Sequence, residues 1–160
     1  MREMVRRCNY DPRKVFDTYN LLLGVTTVEG GISQEFEKAM FLLNKSEFIP
    51  TNIIEAINTT EEVNALPEWA KEKLIGRLYL MLKYKPFDMI VIHDCFRVSS
   101  NNGNYVRYWF KEIMAEIAES DMLYFLCRQL PNNPVTHEAL DKADKIRVAN
   151  LIRESEYGLS

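Results

Sequence analysis

The chain has 160 residues, of which 47% are hydrophobic and 27% are charged, a composition typical of a globular protein with its own core. Its net charge of -3 excludes a protein that binds nucleic acid through bulk positive charge, although a local basic face stays open. The three cysteines are widely spaced and include no CxxC pair, which argues against a disulfide framework or structural zinc and favours a reducing compartment. No apolar segment is long enough to cross a bilayer and the N-terminus is charged, so we expect no signal peptide, no membrane partner and a cytoplasmic location.

Residues 1–85 are predicted to be helical. Asp11-Pro12 is a helix start with Pro at the first helical position, and Gly24 is a plausible end. Further helices are expected from Ser33 to about Asn44, over residues 53–57, after the cap at Thr59, and from Leu66-Pro67 to just before Pro86. The last of these carries an apolar stripe made of Trp69, Leu74, Leu78 and Leu82.

Basic side chains are concentrated near the N-terminus, at Arg2, Arg6, Arg7, Arg13 and Lys14. We expect ordinary solvated charge here, with contact to nucleic acid as the alternative.

Residues 87–92 form a short apolar run rich in β-branched residues, which predicts a buried strand. His93-Asp94 follows at a tight reversal, and the next residues predict a returning strand in which Cys95 is a small buried residue. A rigid strand that ends in a carboxylate is a common way to hold a divalent metal ion. Asp94 is therefore the first candidate for a metal ligand, and the alternative is that His93-Asp94 is only a hydrogen-bonded turn.

After the turn formers at 99–104, a long helix is expected to have one apolar face and to stop at 119–121. That face comprises Val106, Phe110, Ile113, Met114 and Ile117. The aromatic run 108–110 cannot lie on a single face, so this helix is either buried on several sides or contacts another chain. An apolar helix over 122–130, a loop at 131–134 and a last helix ending near Ser155 complete the chain.

These elements predict an α+β fold, namely a mostly helical single domain around a small antiparallel β-hairpin. The domain spans residues 1–160. Residues 1–85 form its helical N-terminal part, and residues 86–160 contain the hairpin, the long helix and the C-terminal tail.

Ile92-His93-Asp94-Cys95-Phe96 follows an apolar strand and precedes a short loop and the long helix that begins near Tyr105. The chain then ends in a short helix and an acidic, aromatic tail that contains Tyr157. In this order the three pieces resemble the C-terminal palm portion of the single-subunit phage and mitochondrial RNA polymerases, whose third palm motif is a His-Asp pair. The resemblance covers residues 87–160, and residues 1–85 have no counterpart in it.

The resemblance implies that Asp94 is a Mg²⁺ ligand and that His93 is its companion near the 3′ end of the growing strand. In that family the aspartate helps to hold two Mg²⁺ ions. The ions activate the 3′-hydroxyl of the growing strand and stabilise the leaving pyrophosphate. Arg97, Arg107 and Tyr157 are the candidate contacts to nucleic acid, and for the two arginines an ordinary solvated face is the commoner alternative.

Two parts of the family's machinery are missing from the sequence. No strand in residues 1–85 carries a further aspartate, and Ala149 and Asn150 stand where the fingers motif requires Lys before its Tyr-Gly. We therefore expect one component of a divided phage DNA-directed RNA polymerase. It would be active only with a second polypeptide that carries the remaining palm and fingers motifs, and it would meet DNA template and nucleoside triphosphates through that complex.

Two other functions stay open. The first is a non-catalytic helical protein–protein interaction module of phage origin, in which Asp94 is a turn residue. The second, a metal-dependent nuclease, is disfavoured because only Asp88 and Asp94 lie near the strand, separated by about 20 Å of extended chain. A thiol nucleophile at Cys95 is disfavoured as well, since His93 is its only neighbouring histidine.

Overall fold

The computed structural model describes residues 1–93, 95–130 and 140–156. These residues are mostly helical and include a two-stranded antiparallel sheet, so the predicted α+β class with a small hairpin is confirmed. They pack as two compact units, one made of Met1–Phe41 with Ile49–Val98 and the other of Leu42–Phe48 with the residues from Ser99 onwards. The single domain over 1–160, with parts 1–85 and 86–160, stays a prediction. In the described part of the chain, no helix is long and apolar enough to cross a membrane.

The described residues form eleven helices and strands. In chain order they are α1 (Arg2–Cys8), α2 (Pro12–Leu22), α3 (Gln34–Ser46), α4 (Ile53–Ala56), α5 (Thr60–Ala65), α6 (Glu68–Lys83), β1 (Ile90–Ile92), β2 (Cys95–Arg97), α7 (Gly103–Glu119), α8 (Met122–Arg128) and α9 (Lys142–Glu154), with a 3₁₀ turn at Ser100–Asn102.

Local capping explains where two of these helices begin and end. The Asp11 carboxylate accepts a hydrogen bond of 2.9 Å from the backbone N–H of Arg13, and Gly24 ends the α2 region with a φ of 69°. At α5, Thr59 and Glu62 form a capping box in which each side chain bonds the other residue's backbone N–H. These signals are local, and the predicted helix starts at both places are confirmed.

The first unit has its core where α2 packs against α6. The side chains that α6 buries are Ala70, Leu74, Arg77, Leu78 and Met81. The predicted stripe is therefore right at its centre, but it is wrong at Trp69, which is 39% exposed. Trp69 precedes Ala70 by one residue, and a step of one residue turns a side chain about 100° away from a helix face.

The hairpin pairs Val91 with Phe96 at its centre. The prediction that β1 is buried is wrong, because Ile90 is 63% and Ile92 is 47% exposed. Cys95 is exposed as well, against the prediction. Within the described residues the sheet has two strands, and on each strand the first and third side chains are exposed.

The second unit has its core where α7 packs against α9. Trp109 is 1% exposed and meets the edge of the Tyr105 ring at 5.7 Å between centroids. The buried face runs through Tyr105, Val106, Trp109 and Ile113. It shares Val106 and Ile113 with the predicted face, but the predicted Met114 is exposed. Helix α7 ends at the predicted break after Glu119, and α8 follows with no buried residue.

Candidate functional site

The hairpin turn carries the residues that the sequence singled out. Ile92 pairs with Cys95, so two residues of the sequence, His93 and Asp94, connect the strands. His93 has a φ of 54°, the left-handed conformation that the first position of a type I′ hairpin turn requires. Its imidazole is exposed. Asp94, the predicted metal ligand, lies outside the described residues.

Asp88 is the acid nearest to this turn among the described residues of the approach to β1. Its carboxylate is exposed and accepts a hydrogen bond of 3.2 Å from the Asn9 side chain. The next residue back, Phe87, donates its backbone N–H to the Cys8 carbonyl at 2.9 Å. These two bonds tie the chain before β1 to the end of α1, so Asp88 has a structural role there.

Residues 1–93, 95–130 and 140–156 contain no group of three or more His, Cys, Asp or Glu side chains arranged to hold a metal ion. Mg²⁺ takes octahedral oxygen coordination, usually from one or two carboxylates with water and phosphate oxygens. Of the two predicted site residues at the hairpin turn, the described part of the chain includes only His93, and His93 belongs to no such group.

The candidate contacts to nucleic acid are distributed over both units. Arg97 ends β2 and is exposed, in the same hairpin as His93. Arg107 is exposed on α7, in the second unit. Tyr157 lies outside the described residues. The structure thus brings His93 and Arg97 into one hairpin, and it describes Arg107 as part of a separate unit.

Of the five basic N-terminal residues, Arg2 and Arg13 are exposed, whereas Arg7 and Lys14 have a different role from the predicted solvated charge. Arg7 is fully buried, and its guanidinium donates a hydrogen bond of 3.3 Å to the Thr51 hydroxyl. The Lys14 ammonium donates to the Ile57 carbonyl at 2.6 Å and to the Asn58 side chain at 2.7 Å. Desolvation lowers the pKa of Lys14. The prediction is wrong for both residues, because each supplies donors that fix a chain segment distant in sequence.

A cavity of about 100 Å³ lies beside this polar network in the first unit. Its lining includes Arg6 and Glu55, which carry opposite charges, together with the side-chain amides of Asn9 and Asn52. Sites for drug-sized ligands and cofactors begin at about 300 Å³. The cavity is therefore too small for a nucleoside triphosphate.

Glu62 organises a second polar centre in the first unit, a role that was not predicted from the sequence. It is fully buried, and one of its oxygens accepts from the Ser33 backbone N–H at 2.9 Å and the Ser33 hydroxyl at 2.6 Å. The other oxygen accepts from the backbone N–H groups of Asn58 at 2.7 Å and Thr59 at 3.2 Å. Burial raises the pKa of this carboxyl, but the four hydrogen bonds outweigh burial and lower the pKa overall.

In the second unit, Arg153 on α9 joins two acids of α7. Its guanidinium donates to Glu112 at 2.8 Å and to Glu119 at 2.5 Å, and these hydrogen bonds raise the pKa of Arg153. The Lys111 ammonium donates to the carbonyls of Arg153 and Ser155 at 3.1 Å each. Ala149, which stands where the fingers motif requires Lys, is fully buried. The cluster fixes the last helix and leaves no carboxylate pair for a metal.

The sequence matches no protein-family model and no curated protein. The function is therefore argued from the residues and their arrangement.

Proposed function

We propose that this chain is one component of a phage DNA-directed RNA polymerase, in which Asp94 is a palm carboxylate of a Mg²⁺ site that a partner polypeptide completes. The observation that carries the proposal is the order of elements around the His-Asp pair. A strand (β1), a two-residue connection with His93 in the left-handed conformation, a returning strand (β2) and a long helix (α7) follow one another.

The hairpin's exposure supports the need for a partner. Ile90 and Ile92 are two residues apart, so they lie on the same side of β1, and both are exposed. His93 is exposed at the turn. A second polypeptide therefore has access to the turn and to apolar surface beside it. In this assignment His93 is the companion of Asp94, and Arg97 contacts phosphate from the same hairpin.

The partner would carry the remaining palm and fingers motifs, and DNA template and nucleoside triphosphates would bind the complex. The chain alone would not polymerise nucleotides, because Asp94 is the single palm carboxylate assigned to it and one carboxylate cannot make a two-metal site. This assignment locates the chain in the cytoplasm of an infected host cell.

The first experiment is affinity purification of the chain from its native source, with mass spectrometry of the partner, followed by nucleotide incorporation with Mg²⁺ in the reconstituted complex. We expect Asp94→Asn to lower the incorporation rate at least about 100-fold, because a missing carboxylate ligand weakens metal-assisted transfer. Asp88→Asn is the matched control, an exposed acid on the same segment, and should retain nearly full activity. A fully active Asp94→Asn complex contradicts the proposal.

A non-catalytic helical interaction module is the second candidate. Helix α8 favours it, because its seven residues are almost all apolar and none is buried. A stoichiometric partner without palm or fingers motifs, together with a complex that incorporates no nucleotide, would establish this candidate instead.

A further inference from the structure

An ordered loop in the first unit displays apolar side chains to solvent. It connects α2 to α3, and its exposed apolar side chains together with that of Phe16 on α2 are named here the loop face. Its members are all between 44% and 70% exposed: Phe16, Leu23, Val25, Val28 and Ile32. Phe16 and Leu23 are seven residues apart, which places them on one side of the helix region.

Backbone hydrogen bonds fix the loop at both ends of this surface. The N–H groups of Val25 and Thr26 donate to the Asn20 carbonyl at 3.0 and 3.4 Å. Farther along, Thr60 donates its N–H to the Val28 carbonyl at 3.0 Å and accepts from the Val28 N–H with its hydroxyl at 2.9 Å. The loop is therefore paired with α2 on one side and with the start of α5 on the other.

Buried groups hold the rest of the loop. Glu62 binds both the N–H and the hydroxyl of Ser33, where α3 begins. At Gly30, a Cβ would lie 2.6 Å from a methyl carbon of Thr59, whose hydroxyl takes part in the α5 capping box. Ordering one residue costs about 1–2 kcal/mol of conformational free energy. These contacts therefore hold the loop in one conformation, although its apolar side chains are exposed to water.

Between Lys14 and Lys38 the charged side chains all have one sign, and the exposed bases Arg13 and Lys38 bound this segment. Residues 15–37 contain no Lys, Arg or His. They contain four acids, all exposed: Asp17, Glu29, Glu35 and Glu37. A further exposed acid, Glu61, directly follows the two threonines that bond the loop. An apolar patch with an acidic rim is complementary to an apolar patch with a basic rim.

We propose that the loop face is the docking site for a partner-protein segment that presents aliphatic or aromatic side chains flanked by Lys and Arg. The acidic rim excludes nucleic acid as the occupant, because phosphates would meet like charge. It also disfavours a second copy of this chain, whose identical acids would face one another across a two-fold axis. The inference is independent of any metal bound through Asp94.

The test uses a peptide library displayed on phage, selected against the full chain. We expect the selected peptides to combine apolar residues with Lys and Arg, and to bind more weakly as salt concentration rises. Val25→Asp and Phe16→Asp should each weaken binding of a selected peptide at least about tenfold, measured by fluorescence anisotropy. Leu151→Asp is the matched control, since Leu151 is an exposed leucine on α9 in the second unit, and it should leave affinity unchanged.

Val25→Ser removes the apolar group without adding charge and should weaken binding in the same direction. It keeps the test decisive if an aspartate variant fails to fold, which thermal unfolding would reveal. Selected peptides that are acidic or neutral overturn the proposal, and so does an affinity that the Val25 and Phe16 variants leave unchanged. A wild-type dimer that Val25→Asp converts to a monomer would identify a second copy as the occupant and overturn it as well.

Discussion

Glu62 carries a carboxylate in the interior of the first unit, and four hydrogen-bond donors offset the cost of its burial. The donors come from Ser33, Asn58 and Thr59, so one side chain joins the start of α3 to the start of α5. A buried carboxylate without donors would be protonated, whereas this one has its pKa lowered. Its role is therefore to fix the loop face rather than to transfer protons.

Glu62→Gln should lower the free energy of unfolding by about 2–3 kcal/mol at neutral pH, because an amide turns at least one donor toward backbone N–H groups that need an acceptor. The lowered folded pKa adds a pH dependence to wild-type stability. The stabilisation is complete above the unfolded pKa of 4.5 and is lost as pH falls through the folded value. Urea unfolding at several pH values measures both effects, and the variant should lack this acid-side loss.

Glu61→Gln is the control for that experiment, because Glu61 occupies the same helix turn and is exposed. Its effect should stay within about 1 kcal/mol, the scale of an acid near a helix N-terminus. Equal losses in the two variants would show that the Glu62 hydrogen bonds contribute nothing beyond general helix electrostatics.

Elements with local signals were predictable, and side chains whose environment is set by distant packing were not. Asp11 and Gly24 bracket α2 as expected, because capping depends on neighbouring residues. Arg7 was expected in solvent and is buried, since its partner Thr51 is 44 residues away. Ile90 was expected in the interior and is exposed, because an apolar strand is buried only where another layer covers it.

The same contrast holds for the candidate site. The hairpin and its connection at His93 follow from a short apolar run rich in β-branched residues and a polar pair, and the structure contains both. The cluster around Arg153 joins residues at least 34 positions apart, and no pattern in the sequence indicates that pairing. The role of Asp94 depends on ligands that another chain would supply, so it stays a prediction.

Arg153 is the main polar link between α9 and α7. Arg153→Met should lower the free energy of unfolding by about 1–2 kcal/mol, because Glu112 and Glu119 would then face each other without a cation. The Arg153 side chain is 31% exposed, and this partial exposure limits the loss through solvent screening. Hydrogen exchange should show faster exchange of α9 amides.

Arg147→Met is the matched control on the same helix. Arg147 pairs with Asp144 one turn away, but its side chain is 74% exposed. Its removal should change stability by no more than about 0.5 kcal/mol. Exchange of α9 amides at the wild-type rate in Arg153→Met would show that this helix docks without the Arg153 ion pairs, through its apolar packing and the Lys111 hydrogen bonds.

At the scale of the whole molecule, the response to Mg²⁺ distinguishes a metal site shared with a partner polypeptide from one that this chain builds alone. The described residues offer no group of three ligands. A single carboxylate binds Mg²⁺ weakly, and only a ligand present well above its dissociation constant stabilises a fold. Millimolar Mg²⁺ or EDTA should therefore shift the thermal midpoint of the isolated chain by less than about 1 °C. Differential scanning calorimetry makes the measurement.

The complex with the partner polypeptide should behave differently, because a shared site gains its remaining ligands only on assembly. Mg²⁺ should stabilise the wild-type complex, and Asp94→Asn should abolish that gain while Asp88→Asn preserves it. An isolated chain whose midpoint rises by several degrees with Mg²⁺ would contradict a shared site. An assembled complex with no response to Mg²⁺ would instead leave the hairpin turn as a structural element of an interaction protein.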